Sequence, residues 1–358
     1  MEPKKTYARP RRDRRIVAGM ILLILLSLSA VFAGFIAPYS PTIQKREFFF
    51  APPTTWHFFD GNGTFHPLPF VYRYKLLDLE RLLYGEDTTK PYPIHLFLRG
   101  EKYLLFGFIP CEIHLLGAEE PGLLFLFGSD SLGRDVFSRL VYGSRVSLSI
   151  AAVALLISFP LGLFIGSLSG FYGGVVDFVL MRVVEVFLAL PALYLVIALR
   201  STLPLSVPPD KVFLCMVAVI ALFGWAELAR ISRGMVLSLR QRGFVTAAVV
   251  LGASDTRIIV RHLVPHLSGF VLVQAALSVP SYILAEVTLS YLGLGIQEPL
   301  PSWGNMLALA TQDLQLLTTF WWNLAPGIAV FMAVMAFNFL AEGLRDLLDP
   351  KMRTQVRV

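Results

Sequence analysis

The chain has 358 residues, of which 55% are hydrophobic and only 16% charged, and its mean hydropathy is +0.64. A soluble protein needs about a quarter of its residues charged to keep its surface wet, so composition places this chain in a bilayer. The net charge of +6 does not point to nucleic acid: Lys and Arg sit at the ends of apolar runs, where anionic headgroups lie, and are not interleaved with aromatics along a stripe.

Near the start, Lys4, Lys5, Arg9, Arg11, Arg12, Arg14 and Arg15 precede an uncharged run over 16–37. At about 1.5 Å per residue that run crosses the roughly 30 Å hydrocarbon core. It is longer than a signal-peptide core and has no clear A-x-A cleavage site, which predicts an uncleaved first span. Residues 38–142 are a different kind of sequence, rich in Pro, Tyr, Phe and both signs of charge, and the first span delivers them to the far side of the membrane. They predict a folded extracytoplasmic insert of mixed structure. Tyr92-Pro-Ile-His-Leu-Phe-Leu98 and Lys102-Tyr-Leu-Leu-Phe-Gly-Phe108 read as strands, and Asp60-Gly-Asn-Gly63 and Gly85-Glu-Asp87 as turns. His57, His66, His95 and His114 lack the short paired spacing of a zinc site and read as packed or solvated side chains, so no metal is expected. Cys111 falls in the insert and Cys215 in a span, an arrangement that argues against a disulfide between them.

Five further runs pass the same length test, at 146–169, 178–199, 212–229, 267–291 and 320–341. Six spans put both termini on one side. The basic amino terminus marks that side as cytoplasmic, and Arg230, Arg233, Arg240, Arg242, Arg257 and Arg261 lie in the loop that the same count makes cytoplasmic. By contrast 293–319 carries Glu298 and Asp313 with no Lys or Arg. Pro160, Pro191, Pro280 and Pro326 fall inside predicted spans, where each removes a backbone hydrogen bond and bends the helix. The glycines from Gly162 to Gly170 read as a close helix-packing face, and Gly173-Gly174 as a turn, neither as a phosphate cradle. Trp303, Trp321 and Trp322 surround the outer boundary of the sixth span, where indoles anchor at the interface.

Ionisable groups at membrane depth cost at least about 2.5 kcal/mol to insert. Arg182 and Glu185 stand three apart on one helix face of the third span and can pair with each other, a structural ion pair. Gln274 lies about 10 Å and Glu286 about 28 Å along the fifth span, so both are candidates for lining a substrate path. The Glu286 carboxylate could face a peptide's amino group, or it could reach headgroup water or another helix.

The polar loop 230–266 carries the strongest pattern. Ala247 and Ala248 are strong helix formers small enough for close approach, Gly252 can take the left-handed conformation that ends a helix, and Ser254 or Asp255 can cap the next one. Arg257, Arg261 and His262 border that second piece, and Pro265 marks the entrance to the fifth span. Helix, sharp turn, helix describes a knob suited to a socket on a soluble partner, or else an interfacial helix lying on lipid.

Paired alanines, three residues, a glycine, then a proline thirteen residues later resemble the cytoplasmic coupling loop of ABC importer permeases. Gly128-Ser-Asp-Ser-Leu-Gly-Arg-Asp-Val-Phe-Ser-Arg-Leu-Val-Tyr-Gly-Ser-Arg-Val-Ser-Leu148, Gly170-Phe-Tyr-Gly-Gly174 with Asp177 and Arg182, Leu289-Ser-Tyr-Leu-Gly-Leu-Gly295, Pro301-Ser-Trp-Gly304 and Leu344-Arg-Asp-Leu-Leu-Asp-Pro350 resemble further stretches of the dipeptide, oligopeptide and nickel subfamily. The resemblance is closest to its second permease subunit. It implies an all-α membrane protein of six transmembrane helices with the type I ABC importer permease fold: a basic amino terminus (1–15), a first helix (16–37), an extracytoplasmic insert (38–142), a five-helix core (143–343) and a cytoplasmic tail (344–358). It implies that Thr246, Ala247, Ala248, Gly252, Ala253, Ser254, Asp255, Arg261, His262 and Pro265 couple to an ATPase. Two positions depart from the family: its common Glu before the alanines is Thr246 here, and the residue after the proline, often Asn, is His266.

The implied setting is the bacterial inner membrane. The implied partners are a second homologous permease, two cytoplasmic ABC ATPases and an extracytoplasmic solute-binding protein, with membrane lipid around them. No G-x-x-x-x-G-K-[ST] phosphate loop occurs, so this chain is expected to bind no cofactor, and ATP and Mg belong to the partner ATPases. The solute implied is a peptide, with nickel or another non-peptide solute as the alternative. A membrane-anchored enzyme or scaffold with its site in the insert is the remote alternative, and the insert has no evident set of catalytic residues to support it.

Overall fold

The computed structural model describes residues 14–61, 63–191, 194, 197–198, 208–312 and 318–348. Lys4, Lys5, Arg9, Arg11, Arg12, Asp313, the end of the predicted third span at Leu199 and the tail from 349 lie outside the described residues.

The first helix, α1 (Arg14–Val31), runs into a short turn of helix, α2 (Ala33–Ile36). Then come four strands, β1 (His57–Phe59), β2 (Phe65–Asp78), β3 (Leu83–Leu105) and β4 (Ile109–Ala118). The rest is helical: α3 (Val136–Tyr172), α4 (Gly174–Ala189), α5 (Pro209–Arg240), α6 (Gly243–Val250), α7 (Asp255–Tyr291), α8 (Trp303–Ala310) and α9 (Ala325–Leu348). Five helices, α1, α3, α5, α7 and α9 (with the 3₁₀ turn Trp321–Leu324 before it), are long and apolar enough to cross a membrane among the described residues. The predicted third span is represented by the 16 residues of α4. Leu190 turns extended just before Pro191, as the ring of a following proline requires, so Pro191 lies beyond the helix and not within it. Pro326 also differs from expectation: it is the second residue of α9, where a missing N–H costs nothing. Pro160 and Pro280 are interior, in α3 and α7.

Helix α3 packs most extensively on α5, and glycine is the reason. A Cβ at Gly162, Gly166 or Gly170 would lie 2.5, 2.4 and 2.7 Å from the carbonyl oxygens of Trp225, Ala229 and Arg233. The two backbones therefore touch along two turns, which only a residue without a side chain permits. Around this seam Ile150, Ala154, Met216, Ile220, Tyr282 and Ile283 form the main buried cluster of α3, α5 and α7. Helix α1 lies along α9, with Arg15 Nη1 3.3 Å from Glu342 Oε2 where α1 begins.

The strands form one antiparallel sheet in the order β1-β2-β3-β4. Between β1 and β2, Gly63 N–H donates to Asp60 O at 2.9 Å. Gly85-Glu-Asp87, expected as a turn, is instead strand: it pairs with Lys75, Tyr74 and Arg73 of β2, and Asp87 holds Lys75 at 2.8 Å. Cross-strand pairing overrides the local turn preference of Gly and Asp there. The predicted strand piece 92–98 and the first part of 102–108 fuse into one long β3, whose first half pairs with β2 and second half with β4; it ends at Leu105, and 106–108 are turn instead of strand. Phe48, Ala51, Tyr74, Leu123 and Phe125 form the core beneath the sheet. His57 meets Glu86 at 2.8 Å, His66 meets Asp60 at 3.2 Å and His95 meets Glu119 at 3.2 Å.

Candidate coupling site and interior polar clusters

The segment after α5 folds as helix, turn and helix. Val245 and Ala248 of α6 are buried against Phe171, Val236, Ile258, Ile259, Leu263 and Leu267, while Thr246 and Ala247 face outward. The paired alanines thus divide the work, one packing inward and one presenting a small surface. Helix α6 closes with Ala253 N–H donating to Ala248 O and Gly252 N–H donating to Val249 O, each at 3.0 Å. Gly252 sits at φ +77°. This reciprocal pair of bonds around a left-handed glycine stops a helix without leaving carbonyls bare. Val250 and Leu251 are then 81% and 85% exposed at the apex. Such an apolar apex has no partner within this chain's described residues.

Ser254 occupies the cap position of α7, but its side chain makes no capping hydrogen bond; Asp255 follows in the first turn, next to Tyr172. Six residues, Ile258–Leu263, form a π-helical turn inside α7. Arg261 is exposed and His262 half-buried within it, and Pro265 follows on the next turn. His266 is exposed, with its ring stacked on Phe244, 4.6 Å between centroids and 13° from parallel, and its Nδ1 lies 2.6 Å from His262 O. That surface stack ties the first residues of α6 to α7.

An ion pair braces the same end of the bundle. Asp177, in the first turn of α4, accepts from Arg233 Nη2 of α5 at 2.5 Å and from the Ser169 hydroxyl of α3. Both charges were visible in sequence, one in the glycine motif and one in the basic loop, but nothing in their spacing of 56 residues marked them as a pair. Arg182 Nη1 lies 2.7 Å from Glu185 Oε2, with both side chains more than half exposed.

Gln274 is half-buried. Glu286, a candidate for the path, opens on none in this conformation: it is fully buried. Its Oε1 accepts from Ser290 Oγ at 2.8 Å, its Oε2 has no hydrogen-bond partner, and Ser147 and Ser302 lie beside it. The group therefore joins α7 to α3 and to the start of α8. Trp303 also departs from expectation. It is 1% exposed, donating from its ring nitrogen to Leu140 O at 3.2 Å, and Trp322 is buried with its ring nitrogen on Ser129 O at 3.0 Å. Only Trp321, 62% exposed, has the freedom of an interfacial anchor. The indoles of the other two are buried and hydrogen-bonded within the protein.

At the opposite end from the knob, Arg134 binds Asp130 Oδ2 at 2.7 Å and Glu298 Oε2 at 2.6 Å, and Arg139 binds Glu298 Oε1 at 2.7 Å. Two arginines and two carboxylates cancel in charge while joining residues 128–148 to the stretch before α8. A cavity of about 210 Å³ opens beside them, lined by Asp130, Arg139, Met306, Phe320 and Asn323 among others. Neighbouring Asp135 caps α3, accepting from Ser138 N–H at 2.8 Å. Burial pushes its carboxyl up from 3.8 to about 7, against the opposing pull of the Ser138 bonds. Among the described residues no three His, Cys, Asp or Glu side chains converge as metal ligands, and Cys111 and Cys215 are both free.

The knob, the glycine seam and the far-end cluster coincide with matches to known proteins. Residues 158–354 match the family described as binding-protein-dependent transport system inner membrane component, and residues 5–53 match the N-terminal TM domain of oligopeptide transport permease C. The chain belongs to this family of transport-system membrane components. It is 40% identical to the oligopeptide transport system permease protein OppC of Bacillus subtilis (strain 168) over 67% of this chain and 76% of the relative. To the dipeptide transport system permease protein DppC of the same organism it is 41% identical, over 63% and 69%. The di/tripeptide transport system permease protein DppC of Pseudomonas aeruginosa (strain UCBPP-PA14) is 29% identical over 98% of this chain and 96% of its own length, so the match there runs through the sheet as well as the helices. As a permease subunit the chain supplies membrane helices to a transport system and not a reaction centre.

Proposed function

We propose that this chain is one permease half of an ATP-driven importer of peptides, multi-pass in the bacterial inner membrane with both termini cytoplasmic. A second homologous permease completes the path, two ABC ATPases hold ATP and Mg, and an extracytoplasmic binding protein delivers the solute. Peptides are preferred to nickel because the relatives that match are named for oligopeptide and dipeptide transport. The observation that carries the reading is the α6 knob: a bare apolar apex of Val250 and Leu251 on a helix locked by the Gly252 turn, the Phe244–His266 stack and the buried Val245 and Ala248. A rigid apolar knob at the basic end of the bundle suits a cleft in a soluble ATPase, so that closure of the cleft tilts the attached helices as bodies. Thr246, Ala247, Ala253, Ser254, Asp255, Arg261, His262 and Pro265 frame this contact. Gln274 is the remaining candidate for the path, and Arg182–Glu185 is a structural pair.

The test uses backbone geometry. A Cβ at Gly252 meets nothing within 4 Å, so substitution there strains only φ, by about 1–2 kcal/mol for a β-branched residue. Gly252→Val should lower peptide uptake per ATP hydrolysed in vesicles holding the whole transporter. Gly252→Asn, which tolerates the left-handed region, should keep it. Unchanged uptake by Gly252→Val at equal protein level would count against coupling through this turn.

A further inference from the structure

The β3–β4 ribbon ends in the loop Phe106-Gly107-Phe108, with Phe106 at φ 55° and Gly107 at φ 85°. Leu104, Phe106, Phe108 and Ile109 are 55%, 47%, 73% and 40% exposed. No charged residue occurs between Lys102 and Glu112, and those two pair with each other at 3.4 Å. An uncharged tip beneath a ring of charge is an odd thing to hold in water.

Three contacts fix where that tip lies. His114 Nδ1 is 2.7 Å from Ala37 O, the Tyr103 ring fills the space beside Gly34, and Phe106 meets Phe32 edge to face at 5.6 Å. Counted from Ile16 at about 1.5 Å per residue, Ala37, Gly34 and Phe32 stand about 31, 27 and 24 Å along a hydrocarbon core of roughly 30 Å. The ribbon therefore descends as it approaches its tip. The face of α1 beside it exposes Ile24, Leu25, Leu28 and Val31, 43–58% each, which is the surface of a span that faces lipid. Phe106 meets Phe32 at the end of that helix.

We propose that the tip of the β3–β4 ribbon, with Phe106 and Phe108 foremost, inserts among the acyl chains of the leaflet at the Val31 end of α1 and anchors the sheet to the bilayer. Lys102 and Glu112 then sit at headgroup level, where a charged pair is tolerated and aromatics are favoured. His114, with its second nitrogen 3.0 Å from Glu101 O, clamps the ribbon to the end of the span. The tip in lipid thereby adds to the contacts that already hold the sheet, among them Leu82 of the β2–β3 turn against Val136, Met306, Phe320 and Trp322. The inference depends on α1 crossing the bilayer and adds a lipid contact to the transport reading.

The test places a nitroxide at Phe108→Cys in a chain carrying Cys111→Ser and Cys215→Ser, assembled with its full transporter in liposomes. Thr64→Cys, on the polar β1–β2 turn, is the reference. Oxygen, which concentrates in acyl chains, should relax the label at 108 several-fold more than a water-soluble nickel chelate does, and the order should reverse at 64. Equal access of the chelate to both labels would put the tip in water and overturn the proposal. Protection of 108 from both relaxants would mean that a protein covers it, and would overturn it too. In a second measurement, lipids brominated on their acyl chains should quench Phe108→Trp beyond the parent; no added quenching would also refute insertion. A membrane-impermeant thiol reagent on intact cells reports the side through Thr64→Cys, so an inverted orientation would be seen separately and would leave the anchor standing in the other leaflet.

Discussion

Gly166→Ala is the sharpest test of how the helices are joined. The added Cβ would lie 2.4 Å from Ala229 O and 2.8 Å from Ser232 Cβ, whereas carbon and carbonyl oxygen rest at about 3.3–3.6 Å. Helices α3 and α5 would have to part by about 1 Å, and the contacts at Gly162 and Gly170, at 2.5 and 2.7 Å on the same seam, would loosen with them. Overpacking of this kind costs about 1–3 kcal/mol, while replacing a mid-helix glycine by alanine returns about 1 kcal/mol of propensity. The clash wins, narrowly. Gly234→Ala, also in α5, has nothing within 4 Å of its Cβ and receives only the propensity gain. The two variants should therefore differ by about 1–3 kcal/mol, read as a lower thermal midpoint for Gly166→Ala and an equal or higher one for Gly234→Ala in the purified transporter. If Gly166→Ala melts at or above Gly234→Ala, the glycine seam does not hold these helices.

The Asp135 carboxyl is raised by burial to about 7 from 3.8, so the unfolded chain gives up its proton first as pH rises. Stability from this group is complete below about 4, falls between 4 and 7, and the loss is on the order of 4 kcal/mol above that. Asp135→Asn keeps the helix cap, and its thermal midpoint should gain on the parent from pH 5 to pH 8; a gap independent of pH would refute the assignment. Glu286, closed inside the subunit, should act on transport through packing alone. Glu286→Gln should change uptake of free and amino-blocked dipeptides by the same factor, and selective loss of the free peptide would show the carboxylate meeting substrate.

Composition and periodicity were enough for five of the predicted spans, because a bilayer forces long uncharged runs whatever the fold; the third is represented by the 16 residues of α4. The knob was legible for a different reason: Gly252 is needed by local geometry, and local geometry is written in neighbouring residues. The polar clusters were not legible in the same way. Asp130, Arg134 and Arg139 fall within ten residues, but Glu298, the partner of both arginines, lies 164 residues from Arg134, and no spacing rule reaches that far. Glu286 shows what such spacing leaves open. Helical rise gave its depth but not its direction, and depth alone made it a candidate for the path when its neighbours are Ser290, Ser147 and Ser302. Trp303 and Trp322 failed alike, since interfacial preference is a statistical habit that buried acceptors such as Leu140 O and Ser129 O override.

The arrangement of rigid and yielding parts narrows how a push on the knob can travel. Backbones of α3 and α5 meet without side chains between them at three glycines, and Asp177 braces α4 to α5 and α3 through Arg233 and Ser169. These three helices move as one body, because sliding them would break either a charge pair or a run of backbone contacts. Helix α7 is joined to α6 through Phe244–His266 and rests on α3 and α5 through Ile258 and Leu263, but between the knob and its straight portion lies the π-helical turn Ile258–Leu263. A π turn carries one residue more than the ladder needs, so it can absorb rotation that an α-helix would transmit or break under. Pro280 offers α7 a second point of bending, one turn and a half before Glu286 anchors the helix to α3 and α8. Displacement of the knob thus moves the α3–α4–α5 body directly and reaches α7 by two routes, through the Phe244–His266 stack and, along the chain, through a compliant joint. Relative motion between those two parts is where access to a path along α7 would change.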